Sequence, residues 1–126
     1  MDTATLVQQY WDRMNDNDWT AAAELFSSGF VLDWPQTRET IRSKDGFVAI
    51  NTHYPAKGRW RFTINRFVAT DSCVVTDVHV TDGAIEATAI TFFESDGAGL
   101  SRMTEYWPDP SPAPEWRRQW VEKAEG

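Results

Sequence analysis

Residues 60–107 read WRFTINRFVATDSCVVTDVHVTDGAIEATAITFFESDGAGLSRMTEYW. β-branched and aromatic residues dominate this stretch, in four runs at 60–70, 73–81, 84–95 and 99–107. Asp71-Ser72, Asp82-Gly83 and Ser95-Asp96-Gly97 separate them. Runs of that composition between such clusters are strands joined by turns, and Asp-Gly between two of them is a strong hairpin signal. The stretch therefore reads as an antiparallel meander.

Upstream the period is helical. Leu6, Val7, Tyr10, Trp11 and Met14 predict an amphipathic helix over residues 4–15. Asp18 is placed to cap a second helix, Trp19 to Phe26, and Gly29 to end it after Ser27-Ser28. Phe30 to Trp34 is a short strand stopped by Pro35, and residues 39–42 form another. Ser43 or Asp45 caps a third helix, Gly46 to His53, which ends before Tyr54-Pro55. Beyond the meander, PDPSPAPEW leaves the sheet as a stiff tail, and Pro114 opens a last helix, Glu115 to Lys123. Residues 1–126 read as one domain, with 108–126 as its Pro-rich tail and C-terminal helix.

Helices followed by a meander mean an α+β fold. The expectation is a curved antiparallel sheet of four long and two short strands. It wraps around the N-terminal helices as a cone-shaped roll with a central pocket. The helices cover one sheet face only, so a homodimer through the outer face is expected. Thr76, Val78, Ala87, Ala89 and Thr91 are the residues expected at its centre.

The net charge of −7 and the scattered Lys and Arg argue against nucleic acid and anionic membrane as partners. No apolar run has membrane-spanning length, and MDTATLVQQYWDRM lacks the pattern of a signal peptide. A single Cys73 forms no internal disulfide, so a cytoplasmic protein with an inert thiol is expected. Two His and one Cys predict no metal site, and no phosphate or dinucleotide loop calls for a cofactor.

Tyr10, Asn17-Asp18-Trp19, Val31-Leu32-Asp33-Trp34-Pro35, Ile41-Arg42-Ser43-Lys44-Asp45 and Glu105-Tyr106-Trp107 occur in that order. In order and spacing they resemble the nuclear-transport-factor-2-like superfamily. That superfamily holds SnoaL-like polyketide cyclases, ketosteroid isomerases, scytalone dehydratase and limonene epoxide hydrolase. The resemblance covers residues 4–110 and implies the fold more than the chemistry. Against ketosteroid isomerases, Tyr10 matches the oxyanion-hole tyrosine and Trp107 a pocket tryptophan. Trp34, before Pro35, stands where that family carries its basic Asp. Ungapped alignment puts Ile90 at the second oxyanion donor. That exact reaction is therefore rejected.

The Trp107 match implies that Met103, Glu105 and Trp107 face the cavity. If Ile90 does too, strand alternation adds Thr88 and Phe92. A two-residue Asp82-Gly83 turn pairs Thr88 with Asp77, Ile90 with Val75 and Glu86 with His79. A three-residue turn would turn Asp77 to the other face. The expected ligand contacts are Trp34, Asn51, His79, Thr88, Ile90, Phe92, Met103 and Trp107. The expected catalytic groups are Asp77 and Glu105 as acid and base, with Tyr10 as oxyanion donor. Arg42 is expected to pair with Asp33, and Trp11, Trp19, Trp116 and Trp120 to serve packing. The leading reading is cofactor-free isomerase, cyclase, dehydratase or hydratase chemistry on a small, neutral, largely apolar molecule. A non-catalytic binder and a dimerising scaffold stand beside it.

Overall fold

A computed structural model of the chain describes residues 1–124. Three helices form where side chains supply the missing caps. Helix α1, Thr3–Asn15, starts with the Asp2 carboxylate accepting from the Thr5 N–H at 2.8 Å. Asp18 does the same for α2, Trp19–Ala23, and the Ser43 hydroxyl for α3, Lys44–His53. The apolar stripe Leu6, Val7, Tyr10, Trp11 and Met14 of α1 is buried against the sheet.

The strands are β1 Phe26–Trp34, β2 Glu39–Ile41, β3 Arg61–Ala69, β4 Val74–Thr81, β5 Glu86–Ser95 and β6 Leu100–Tyr106. They form one six-stranded sheet in the order β2-β1-β6-β5-β4-β3. Every pairing is antiparallel except β1 with β6, which is parallel. The sheet is thus mixed rather than wholly antiparallel. The second helix also stops earlier than its spacing suggests. Phe26 pairs with Leu100 of β6 and stacks on Phe30 at 3.7 Å, so sheet pairing overrides local helical preference there.

Thr81 pairs with Glu86, so the β4–β5 connection has four residues, not two. Asp82 organises it. One carboxylate oxygen accepts from the N–H groups of Ala84 and Ile85, and the other from Lys57. Gly83 follows at φ +94°, a conformation that favours glycine.

The longer loop moves the expected partners by two. His79 faces Thr88, Asp77 faces Ile90 and Val75 faces Phe92. Across β6, Thr91 faces Glu105 and Phe93 faces Met103. The face shared with Glu105 therefore carries Thr76, Val78, Ala89, Thr91 and Phe93, all buried. The ungapped placement of Ile90 was off by one residue, and a one-residue slip exchanges the faces of a strand. Asp77, Ile90 and Phe92 lie on the outer face, with Tyr106 beside Phe92. The small residues expected at a dimer contact are inside instead.

Two asparagines fasten the helices to the sheet edge. The Asn15 side chain bonds both the N–H and the C=O of Phe62, each at 2.8 Å. Asn17, at φ +53°, does the same to Trp60 at 2.9 and 2.8 Å. Together they occupy the free edge next to β3 as a neighbouring strand would.

The tail forms a 3-10 helix, Glu115–Trp120, shorter than expected. Trp116 and Trp120 are 72% and 71% exposed, so they pack on no core surface. Residues 125 and 126 of the expected tail lie outside the described residues. Asp33 is held by Arg102 at 2.5 Å rather than by Arg42.

The Asp82 carboxyl sits at about 2, below its usual 3.8, held down by the N–H groups of Ile85, Lys57 and Ala84. A carboxyl depressed in the fold stabilises it while ionised, and that part is lost as pH falls through the folded value. Asp82→Ala should therefore lower the melting temperature near neutrality. Thermal melts taken from 3.8 down through about 2 should show the gap to the unmodified protein closing.

Candidate functional site

Between the helices and the inner sheet face lies a cavity of about 620 Å³. Tyr10, Trp11 and Met14 of α1 line it, with Trp19 of α2 and Phe47, Ile50 and Asn51 of α3. The sheet contributes Leu32, Trp34, Phe62, Val80, Ala87 and Glu105. Tyr54 and Trp60 come from the loop before β3, and Trp107 to Pro110 from the start of the tail. An apolar pocket with a few inward polar groups is the common form of a small-molecule site.

Glu105 is the central polar group, 5% exposed. Its Oε1 accepts from the indole N–H groups of Trp34 and Trp107, each at 3.0 Å. Its Oε2 accepts from the Thr91 hydroxyl at 2.7 Å. An indole N–H can only donate, so two indoles commit Oε1 to accepting. The carboxyl proton, when present, must therefore sit on Oε2. Thr91 can follow it, because a hydroxyl donates to the ionised oxygen and accepts from the protonated one. Burial pushes the Glu105 carboxyl above its usual value, while the hydrogen bonds from Trp34, Thr91 and Trp107 hold the rise back. No Lys, Arg or His lies within ion-pair distance of it among the described residues.

Tyr10 is 2% exposed, and its hydroxyl has no hydrogen-bond partner among the described residues. It is nevertheless not a sealed, unsatisfied atom. The hydroxyl therefore opens onto the cavity that Tyr10 lines. Burial, and then the charge of nearby Glu105, raise this phenol well above its usual value, so it stays protonated and able to donate.

The cavity brings together seven of the residues named from the sequence: Tyr10, Trp34, Asn51, His79, Thr88, Glu105 and Trp107. His79 and Thr88 reach it from positions paired on the opposite sheet face to Val80 and Ala87. Met103 is fully buried core beside Phe93. Ile90, Phe92 and Asp77 do not line the cavity. Asp77 instead pairs with Arg66 at 2.8 Å on the outer face, so Asp77 and Glu105 do not meet. Sequence reasoning missed Thr91, Tyr54 and Trp60, and assigned Trp19 to packing. Counting across the β5–β6 turn does not give Thr91, because the register shifts between Glu94 and Ser95. Nothing local marks Tyr54 or Trp60 as cavity-lining. Among the described residues, no cluster of three His, Cys, Asp or Glu could hold a metal.

A curved, unclosed sheet on N-terminal helices around such a cavity defines a nuclear-transport-factor-2-like roll. The family model of the SnoaL-like domain matches residues 7–105, and the chain belongs to that family. Comparison with curated proteins finds no match. Among solved structures, a candidate ketosteroid isomerase from Kribbella flavida DSM 17836 is 28% identical, with TM-score 0.86. That likeness covers 98% of this chain and 90% of the other. A SnoaL-like polyketide cyclase candidate from Shewanella denitrificans OS-217 is 14% identical, covering 82% and 88%, with TM-score 0.67. An LEH-like epoxide hydrolase from M. tuberculosis is 14% identical, covering 85% and 84%, with TM-score 0.65. The last two likenesses speak for the fold alone.

Glu105→Ala would strand two indole N–H groups and a hydroxyl, at about 1–3 kcal/mol for each one left unpaired. Glu105→Gln keeps an acceptor for both indoles and can donate to Thr91. A carboxyl raised in the fold favours folding most below its ordinary 4.5. That contribution is lost as pH rises through the folded value. Denaturant melts should show the Ala variant losing on the order of 3–9 kcal/mol. The Gln variant should stay near the unmodified protein and lack the decline in stability above 4.5.

Proposed function

We propose that this chain performs cofactor-free acid–base chemistry on a small, largely apolar molecule, with Glu105 as the single proton carrier. One observation carries the reading: a buried carboxyl with one oxygen committed and the other free to gain or lose a proton, on the wall of an apolar cavity. Glu105 Oε2 would take a proton from the substrate and return it at another position. Tyr10 would donate a hydrogen bond to the substrate oxygen on which negative charge develops. The aromatic walls would exclude water and hold the molecule flat. The Kribbella flavida neighbour, a candidate ketosteroid isomerase, lends support to an isomerase reading. Asp77 has no part in this scheme.

A second reading is a binder without turnover. The three donors that hold Glu105, and the lack of a second acid beside it, favour it. Deuterium separates the two. The protein is incubated in D2O with a panel of small cyclic ketones and aminoketones, and label at the α-carbon is followed by mass spectrometry. Catalysed exchange is expected, falling at least about 100-fold in Glu105→Gln and about 10–100-fold in Tyr10→Phe. Binding without exchange would leave the binder.

The same proposal includes a homodimer through the outer sheet face and a cytoplasmic setting in keeping with the unpaired Cys73. Phe92 and Tyr106 meet edge-on there and are 39% and 37% exposed. The charges around them are answered within the face by Arg66–Asp77 and Arg102–Asp33. A second copy could thus approach despite the net charge of −7. Light scattering should give twice the chain mass, and Phe92→Glu should give the single-chain mass. A monomeric unmodified protein would rule the dimer out.

A further inference from the structure

The charged side chains on the cavity wall are all of one sign apart from one histidine. Glu39, Glu86, Glu105 and Asp109 line it, with His79, and no Lys or Arg does. His79 is itself taken up by Glu86, at 3.2 Å. The contrast with the outer face is direct, because there Asp77 and Asp33 each hold an arginine.

Glu105 is the sharpest case. A buried carboxylate is normally paired with a cation, since stripping water from the charge is costly. Here three neutral donors fix its position and leave its charge uncancelled. Of its lone pairs, those on Oε1 are taken by the indoles, and Oε2 keeps one beyond the bond from Thr91. The rings of Tyr10, Trp34, Trp60 and Trp107 line the same cavity, and aromatic faces attract a desolvated cation. The Tyr10 hydroxyl is an independent sign of a missing partner. The residue is buried, while its hydroxyl opens onto the cavity, is unbonded among the described residues, and can accept as well as donate.

We infer that the ligand of this cavity is a small organic ammonium. Its nitrogen would meet Glu105 Oε2, and its apolar body would lie against the aromatic walls. This rests on the cavity being the ligand site and names the class of ligand it takes. An anion would face buried Glu105 and three exposed acids, with no Lys or Arg and with the one histidine taken up by Glu86. A bare metal ion would find only one buried carboxylate among indoles.

The test compares three molecules of one shape and different charge: 2-phenylethylamine, 2-phenylethanol and phenylacetate. Each is titrated into the whole chain by calorimetry near neutral pH. The amine should bind at least about tenfold tighter than the alcohol, as one desolvated cation contact of this kind provides. Phenylacetate should bind weakest. Glu105→Gln should bring the amine to the alcohol's affinity while the alcohol still binds, and Asp71→Asn, an exposed acid in the β3–β4 turn, should change nothing. The comparison on the unmodified protein stands even if a variant does not fold. Alcohol binding as tight as the amine, or phenylacetate tightest, overturns the ammonium inference and leaves the pocket reading intact. Amine binding that ignores both Glu105→Gln and Trp107→Ala, or no binding of any of the three at millimolar concentration, overturns both.

Discussion

The arrangement turns on how one buried carboxylate is kept. Glu105 lies on β6, and its three donors come from β1, from β5 and from the chain just past β6. An unsatisfied charge at that depth would cost several kcal/mol, so the fold and the carboxylate are mutually dependent. Trp34 must point inward for its N–H to reach Oε1, which sets the end of β1. Trp107 must turn back for the same reason, which sets where the tail leaves the sheet. The two indoles that satisfy the carboxylate also supply cavity wall, so positioning the acid and building the pocket are one event.

A pocket also needs its walls kept apart. The lower part of the roll is filled: Trp11 packs on Phe62 and donates to Thr76, and Tyr10 meets Phe93 and Phe47. Polar bonds add to this packing. Asn15 and Asn17 hold the α1–α2 corner to Phe62 and Trp60. Asp82 ties the β4–β5 loop to Lys57. These are backbone-directed bonds, which fix spacing without filling volume. The asparagines also shield the β3 edge from pairing with another chain.

Much of this was legible because its signals are local. The α1 stripe, the Ser43 and Asp18 caps and the four long strands all follow from a few neighbouring residues. Glu105 stood out as an acid between Met103 and Trp107 on one strand face. The faces of β5 did not stand out, for a physical reason. Ile90 and Phe92 on one side look as apolar as Ala89, Thr91 and Phe93 on the other, so alternation alone cannot say which face is buried. Loop length decided the pairing of β4 with β5, and Asp82's carboxylate holds that loop through the N–H groups of Ala84, Ile85 and distant Lys57. The parallel pairing of Phe26 with Leu100 joins residues far apart in sequence, beyond any local spacing rule.

The separation of Asp77 from Glu105 narrows the chemistry the site can support. The Arg66–Asp77 pair is largely solvent-exposed on its Arg side and belongs to an ordinary charged surface. Inside remains one proton carrier, in a cavity walled by rings. A lone acid–base group of this kind must release on one side of the substrate what it took from the other, or exchange it with a water that the walls admit. Hydration and dehydration need a second group to place that water or to protonate the departing hydroxyl. Proton relocation needs only the carboxyl and a donor to steady the developing oxyanion, and Tyr10 is such a donor. On the proposed reading, isomerisation or tautomerisation therefore suits this geometry better than the lyase chemistries that the sequence left equally open.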